Sequence, residues 1–217
     1  TYDIILSDGE FVQQLNAAGY IEELNAADYP FDDMLHEDFT QFPGHWTDGK
    51  LYSMMVRGGH LGVSYNKNAI SAEEAQSYSC FWKPEIKGKL GHFDWHLPNL
   101  GMMSLYNGNG SSLWDLNDAG WNAVQENTMG LRQQVGGFFD YGGTFNGLKN
   151  GEMLAMCGIG DWITGVLEKD GAPVGSVIPK EGGIQFTESY SIGKGSDKVA
   201  IVNKFIQYML SPVGQVK

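Results

Sequence analysis

Short apolar runs alternate along this chain with segments in which apolar residues recur at helical spacing. The runs at Tyr2–Leu6, Leu90–Asp94 and Met153–Cys157 predict buried strands. Further strands are predicted at residues 50–55, 60–66 and 174–178, and helices before Gly19 and at residues 98–106, 114–134, 144–150, 162–169 and 197–210. This alternation predicts an α/β fold built from βαβ units around a largely parallel sheet.

Three predicted strands end by placing a carboxylate beside an aromatic residue or a helix start. They lie in Tyr2–Glu10, Lys89–His96 and Ala155–Trp162. Ligands of open α/β sheets bind beyond the carboxyl ends of the strands, so these segments predict a cleft for a small cation. The candidate residues are Asp8, Glu10, Asp94, Trp95, Asp161 and Trp162. Binding is therefore the first hypothesis for the function, ahead of catalysis.

Four of these residues also have a purely structural interpretation, which the sequence leaves open. Asp8 and Glu10 stand at a helix start, where a carboxylate caps the helix or favours its dipole. Asp161 is likewise placed to cap the helix that follows it. The ring of Trp162 fits a hydrophobic core as well as a platform for an ammonium group.

A metal site is the alternative use of the segment around residue 94. His92, Asp94 and His96 alternate, so on a strand their side chains would point to one face. Imidazole and carboxylate groups together are ligands for zinc or iron. A metal carrier or a metal-dependent enzyme therefore stands as a separate hypothesis for these three residues.

Composition and net charge argue against some classes of binding partner but do not identify the function. The 217 residues are 42% hydrophobic and 18% charged, as in ordinary soluble globular proteins, and carry a formal net charge of −12. That charge argues against binding to nucleic acids or anionic membrane surfaces, both of which need a basic face. The two cysteines, Cys80 and Cys157, lack metal-binding spacing, and Cys157 fits a small core residue.

Motifs of catalysis and of nucleotide binding are absent from the sequence. The serines form no G-x-S-x-G elbow, and neither a P-loop nor a G-x-G-x-x-G run opens a helix. An enzyme would therefore have to depend on the histidines alone. No cofactor is predicted, and the expected protein is not an enzyme.

Five segments resemble the solute-binding proteins of ABC transporters, and within them the spermidine/putrescine-binding group. The segments are Trp82–Gly88 (WKPEIKG), Tyr2–Val12 (YDIILSDGEFV), Leu61–Asn66 (LGVSYN), Pro179–Ile184 (PKEGGI) and Val199–Val213 (VAIVNKFIQYMLSPV). The resemblance implies a two-lobe periplasmic-binding-protein fold of type II, with crossover hinge strands and a ligand clamped between the lobes. Residues 1–62 with 184–217 would form an incomplete first lobe, and residues 63–183 the second.

The resemblance also implies a location and partners. A periplasmic or extracellular lipid-anchored monomer is expected, delivering a polyamine-like small molecule to the membrane permease of an ABC importer. Complete members of the group carry further segments before and after the part that this chain resembles. The segments found here span nearly the whole chain, from residue 2 to residue 213.

The resemblance assigns the family's ligand-contacting positions to residues of this chain, and at some of these positions the residue type differs. Asp8 and Glu10 take the places of a serine and a tyrosine, and the second-lobe aspartate falls on Asp94, or on Trp95 if the register shifts by one. Asp94 and Glu188 would hold ammonium groups. Phe186, Trp95 and Trp162 would flank the methylene chain of the ligand.

Arg57 departs from this pattern, because it stands where the family has an aromatic residue. A guanidinium group would repel a polyamine. Three roles are therefore open for it: pairing with Asp8, pairing with Glu10, or bidentate binding of a ligand carboxylate. The last of these would make the protein a receptor for a zwitterionic or anionic solute.

Overall fold

The structure is a computed structural model that describes residues 2–29, 35–40 and 42–216. Its strands are β1 (Ile4–Asp8), β2 (Trp46–Thr47), β3 (Lys50–Leu51), β4 (Met54–Leu61), β5 (Val63–Asn66), β6 (Leu90–Phe93), β7 (Val135–Phe139), β8 (Ala155–Cys157), β9 (Val174–Val177) and β10 (Ile184–Ile192). Its α-helices are α1 (Val12–Ala17), α2 (Glu37–Thr40), α3 (His96–Tyr106), α4 (Asp118–Leu131), α5 (Tyr141–Lys149), α6 (Asp161–Lys169), α7 (Val199–Leu210) and α8 (Pro212–Val216).

The chain folds into two compact units. Unit 1 consists of Thr1–Gly58 with Phe186–Lys217, and unit 2 of Gly59–Gln185. The lobe boundaries at 62/63 and 183/184 stay a prediction, because compactness alone does not locate a hinge. Within the described ranges, no helix has the length and apolar character needed to cross a membrane.

Unit 1 is built on a three-stranded sheet in the order β1-β10-β4. Strands β1 and β10 are antiparallel, with Ile4 opposite Ile192 and Asp8 opposite Glu188. The sheet packs against α7 through a core of Leu24, Tyr29, Leu51, Met54, Ile192, Val202, Ile206 and Leu210. Directly paired residues share a face of an antiparallel sheet, so Asp8 and Glu188 lie on the same face as the Ile4–Ile192 pair.

A buried histidine lies within unit 1. His45 is fully buried, its ring Nε2 is 3.4 Å from Ser189 Oγ, and its ring meets Phe42 edge-on at 5.2 Å. Burial lowers the pKa of His45 to about 4, because the charged imidazolium loses its hydration inside the unit.

This buried imidazole predicts acid sensitivity. The unfolded chain takes up a proton at His45 near its usual pKa of about 6.5, whereas the folded chain does so only near pH 4. The free energy of unfolding is therefore expected to fall by about 3 kcal/mol between pH 7 and pH 4 on account of this residue. Urea unfolding of the wild type and of His45→Gln at both pH values measures the effect. Equal pH dependence in the two proteins would contradict the prediction.

Unit 2 is built on a five-stranded sheet in the order β7-β6-β8-β5-β9. Strand β6 is parallel to β7 and β8, whereas β5 is antiparallel to β8 and β9. The prediction of a largely parallel sheet is therefore wrong. Every residue of β5 is buried, and a strand buried on both faces has the same apolar pattern in either direction. One core cluster of this unit consists of Phe93, Leu148, Met153, Met156, Ile159, Ile163, Leu167 and Val174.

Several element boundaries differ from the sequence predictions. The break expected at Gly58–Gly59 is absent, since β4 runs through both glycines. The helix predicted at 114–134 begins only at Asp118, and the strand Val135–Phe139 follows it unpredicted. Two glycines in that strand weaken its strand pattern. Cys80 and Cys157 are both buried and free, which confirms the core position predicted for Cys157.

Candidate functional site

Three neighbouring strands of unit 2 each deliver an aspartate followed by an aromatic residue. Asp94–Trp95 follows β6, Asp140–Tyr141 follows β7, and Asp161–Trp162 follows β8 after a short glycine-rich turn. Strands β7, β6 and β8 are adjacent and parallel, so their carboxyl ends lie along one edge of the sheet. We call these three dipeptides the acidic-aromatic edge.

The rings of this edge form a connected cluster. The ring of Tyr141 lies 4.7 Å from that of Phe93 and 5.4 Å from that of Trp162, which in turn meets Phe145 edge-on at 5.7 Å. Tyr141 is 52% exposed and Trp162 is 42% exposed, so both present ring surface to solvent. Trp95 is half-buried and packs against the core cluster.

The three aspartates are exposed and have different local roles. Asp140 caps α5 by accepting a hydrogen bond of 2.7 Å from the backbone N–H of Gly143. The backbone N–H of Asp94 donates to the carbonyl of Phe139 at 2.9 Å, which joins the ends of β6 and β7. Asp161 lies in the first turn of α6, whose N-cap is Gly160, so the prediction that Asp161 caps this helix is wrong.

A buried amide holds two parts of the edge in place. The side-chain Nδ2 of Asn99 donates to the carbonyl of Phe93 at 2.9 Å and also to the carbonyl of Trp95. A Cβ at Gly158, whose φ is +78°, would lie 2.7 Å from the same nitrogen. Asn99 therefore packs directly on the turn after β8 while it binds the turn after β6, and only glycine allows that approach.

The structure contradicts the metal hypothesis. Strand β6 ends at Phe93 and His96 already begins α3, so His92, Asp94 and His96 do not alternate along one strand. The ring Nδ1 of His92 lies 2.9 Å from the carbonyl oxygen of Phe93, and burial lowers the pKa of this histidine. Across the part of the chain that the structure describes, no group of three or more acidic, histidine or cysteine side chains is arranged to hold a metal.

In unit 1, Arg57 binds Glu188. The guanidinium group contacts both carboxylate oxygens, Nε on Oε2 and Nη2 on Oε1, the latter at 3.0 Å. The side chain of Glu188 is 20% exposed and that of Arg57 is 67% exposed. The sequence predicted other partners for Arg57, and it predicted Glu188 as an ammonium-binding group. Phe186 precedes Glu188 by two residues on β10 and is half-buried.

Asp8 ends β1, and Glu10 lies within the 3-10 turn that connects β1 to α1. Asp8 stands at the start of the 3-10 turn Gly9–Phe11, yet its side chain makes no capping hydrogen bond, so the capping interpretation is wrong for this residue. Burial, and then the charges of Glu10 and Glu188, raise the pKa of Asp8 to about 6, although Arg57 opposes the shift. Glu10 itself is exposed.

Sequence reasoning missed Asp140 and Tyr141, although the sequence contains a signal for them. The tripeptide Phe-Asp-aromatic occurs at residues 93–95 and again at 139–141. In the structure the two copies lie side by side, because Phe93 is paired with Phe139 across β6 and β7. The repeated tripeptide is therefore visible in the sequence itself, although the sequence pattern does not show that its second copy ends a strand.

An α/β fold with exposed acidic and aromatic groups at its strand ends agrees with the architecture of solute-binding proteins. The chain belongs to the bacterial extracellular solute-binding proteins, whose family model matches residues 1–217. The predicted family and the predicted extracytoplasmic location are thereby confirmed, since curated relatives in this family are periplasmic.

Similar proteins include polyamine-binding members of this family. The chain is 26% identical over 212 residues to spermidine/putrescine-binding periplasmic protein 1 of Haemophilus influenzae, covering 96% of this chain and 56% of the relative. It is 25% identical over 219 residues to the spermidine/putrescine-binding periplasmic protein of Escherichia coli, covering 97% and 59%. The chain thus spans between half and two thirds of the length of these relatives.

A solved structure confirms the fold. The structure of a putative spermidine/putrescine ABC transporter protein from Listeria monocytogenes matches with a TM-score of 0.82 at 21% identity, covering 99% of this chain and 64% of that one. The predicted two-lobe periplasmic-binding-protein fold is therefore confirmed, and the partial coverage agrees with the prediction of an incomplete lobe.

Proposed function

We propose that this chain is the ligand-binding part of an ABC importer's receptor for a small amine of the putrescine type. The observation that carries the proposal is the acidic-aromatic edge, in which two copies of Phe-Asp-aromatic lie in register and a third aspartate–aromatic pair adjoins them. Carboxylates attract an ammonium group, and an aromatic face adds about 0.5–2 kcal/mol when the cation is desolvated. The names of the curated relatives support the same ligand class.

The remaining parts of the function follow from this proposal. The receptor delivers its ligand to a membrane permease and releases it chemically unchanged, so the protein is not an enzyme. Contact of the ligand with both lobes, a monomeric state and the absence of nucleic acid as a partner stay predictions.

A second candidate ligand is an amine that also carries a carboxylate. The observation that favours it is the guanidinium group of Arg57, which is 67% exposed and already binds one carboxylate, that of Glu188, through two nitrogens. A guanidinium group with this geometry suits a ligand carboxylate in the same way. A zwitterion of the same chain length is therefore the ligand to compare with a diamine.

A thermal-shift series with three four-carbon ligands tests both candidates. Putrescine has two ammonium groups, 4-aminobutyrate has one ammonium and one carboxylate, and 1,4-butanediol is neutral. A ligand at 100 times its dissociation constant stabilises the folded protein by about 2.7 kcal/mol, which gives a clear rise in melting temperature. The proposal expects a rise with putrescine and none with the diol.

The outcomes separate the candidates. A larger rise with 4-aminobutyrate than with putrescine would favour the zwitterion, and no rise with either would overturn both. Mass spectrometry of putrescine recovered from the protein tests release in unchanged form, and a modified product would contradict the assignment as a receptor.

A further inference from the structure

A cavity of about 180 Å³ lies between the sheet of unit 2 and its helices α3 and α4. Phe138, His92 and Cys157 form its floor, because they are paired side by side across β7, β6 and β8 and so share one face of the sheet. That face is opposite to the one on which Phe93 joins the core cluster. The helices contribute Asn99, Met103, Thr128 and Leu131 to the lining. The whole cavity therefore lies within unit 2.

The cavity has a buried end and an exposed wall. Met103, Leu131 and Cys157 are each at most 3% exposed. Phe138 is 67% exposed, and Met129, which also lines the cavity, is 53% exposed. These two side chains stand where a ligand would enter, and a methionine side chain adapts its shape readily. Because an apolar cavity of about 150 Å³ is enough to bind benzene, this cavity has room for one aromatic ring.

One polar atom of the lining is buried without a partner. Asn99 lines the cavity and is 6% exposed, and its Nδ2 donates to the carbonyls of Phe93 and Trp95. These two bonds fix the orientation of the amide, so the remaining atom is the acceptor Oδ1. Within the ranges that the structure describes, no donor reaches Oδ1. A buried amide oxygen without a hydrogen bond costs free energy, which a ligand with a donor group would recover.

His92 contributes a second acceptor to the lining. Burial lowers the pKa of this histidine, so its imidazole is neutral at pH 7. The carbonyl oxygen of Phe93, 2.9 Å from Nδ1, can only accept, so the ring proton is on Nδ1. Nε2 is then an acceptor, and none of the described residues donates to it. Two acceptors in a largely apolar lining favour an apolar ligand that carries a hydrogen-bond donor.

We propose that this cavity binds a neutral, single-ring aromatic molecule that carries a hydroxyl group, in the simplest case a phenol. The ring would pack between Met103 and Leu131, and the hydroxyl group would donate to Asn99 Oδ1, the acceptor that is cut off from water. An ammonium group is not expected here, because Arg132 also lines the cavity and carries a positive charge. The site is additional to the acidic-aromatic edge, none of whose aspartates lines the cavity.

Two ligands of nearly equal size test the hydrogen bond. Phenol and fluorobenzene have the same ring, but only phenol has a donor. Titration of ¹⁵N-labelled protein with each, followed in ¹H–¹⁵N NMR spectra, measures the affinity and locates the site. Phenol should cause saturable shifts of the backbone amides of the cavity-lining residues, and fluorobenzene should bind more weakly by about tenfold or more. Benzoate, which has a charged group in place of the hydroxyl, should also bind more weakly than phenol.

Two variants test whether the cavity is the site. Cys157→Leu places a larger side chain on the cavity floor and should abolish saturable phenol binding. Phe138→Ala removes an exposed ring from the wall, so it should fold and should weaken phenol binding by about threefold or more. Val166→Ala is the matched control, because Val166 is 49% exposed on α6 and lies outside the lining. It should leave phenol affinity unchanged.

The contradicting outcomes are specific. Absence of saturable shifts with phenol, shifts centred outside the lining, equal affinity for fluorobenzene, or tighter binding of benzoate would each overturn the inference. Wild-type phenol affinity in a folded Cys157→Leu variant would do the same, and if that variant does not fold, wild-type affinity in Phe138→Ala decides the question. Failure of the protein to bind putrescine or 4-aminobutyrate bears only on the receptor function and leaves this inference standing.

Discussion

Asp140→Asn is expected to weaken putrescine binding by about tenfold or more at pH 7.5 while leaving the thermal unfolding midpoint unchanged. The substitution removes a negative charge from the acidic-aromatic edge. It keeps the cap of α5, because asparagine accepts the hydrogen bond from the Gly143 N–H as well as aspartate does. Calorimetric titration and a thermal unfolding curve of the same sample measure the two effects.

Two further variants separate charge from structure at this position. Asp140→Ala removes the cap as well, and should lower the free energy of unfolding by about 1 kcal/mol in addition to weakening binding. Asp118→Asn removes a carboxylate from the first turn of α4, where Asn117 already caps the helix by accepting from the Gly120 N–H at 3.0 Å. It should leave putrescine affinity unchanged. Wild-type affinity in Asp140→Asn would exclude this carboxylate from the site.

Gly160→Ala is expected to lower the free energy of unfolding by about 1–3 kcal/mol. A Cβ at this position would lie 2.2 Å from the backbone carbonyl oxygen of His60, which has no flexible side chain to move aside. The bridge between Leu61 and Gly160 would have to open. Because Gly160 immediately precedes Asp161 and Trp162, the shift should also weaken putrescine binding. Urea unfolding and calorimetric titration measure the two losses.

The same helix offers a matched control. Gly165 lies inside α6, and a Cβ there would meet nothing within 4 Å. Gly165→Ala should therefore raise the free energy of unfolding by about 0.5–1 kcal/mol, since alanine loses less backbone freedom in a helix than glycine does. If both variants changed stability in the same direction, the close approach at Gly160 would not be the cause.

Local sequence signals located most of the elements that carry the candidate site. The apolar runs at Leu90–Asp94 and Met153–Cys157 contain β6 and β8, and the stripe on the last long helix contains α7. These predictions succeed because burying one face of a strand or helix requires apolar residues at regular spacing within a short segment of sequence. Strand β7 was not predicted, because its two glycines have no side chains and add nothing to an apolar pattern. Asp140 and Tyr141 follow this strand and were therefore not predicted as site residues.

Contacts between distant residues were beyond the reach of such signals. Arg57 and Glu188 are 131 positions apart, and their pairing depends on how β4 and β10 assemble in one sheet. The antiparallel direction of β5 depends on chain connectivity in the same way. The missing cap at Asp8 and the cap at Asp140 are likewise decided by backbone geometry, because both aspartates precede a helical turn.

The way in which β7, β6 and β8 each end has a consequence for engineering. Each strand is followed by its own aspartate and aromatic residue as neighbours in the sequence. Each of the three dipeptides can therefore be substituted separately, while the sheet that carries them is kept. Substituting one dipeptide at a time, with the other two unchanged, should alter the relative binding affinities for amines of different length. Position 140 restricts this substitution, since α5 needs a side chain that accepts a hydrogen bond there, and position 95 restricts it because Trp95 packs against the core of unit 2.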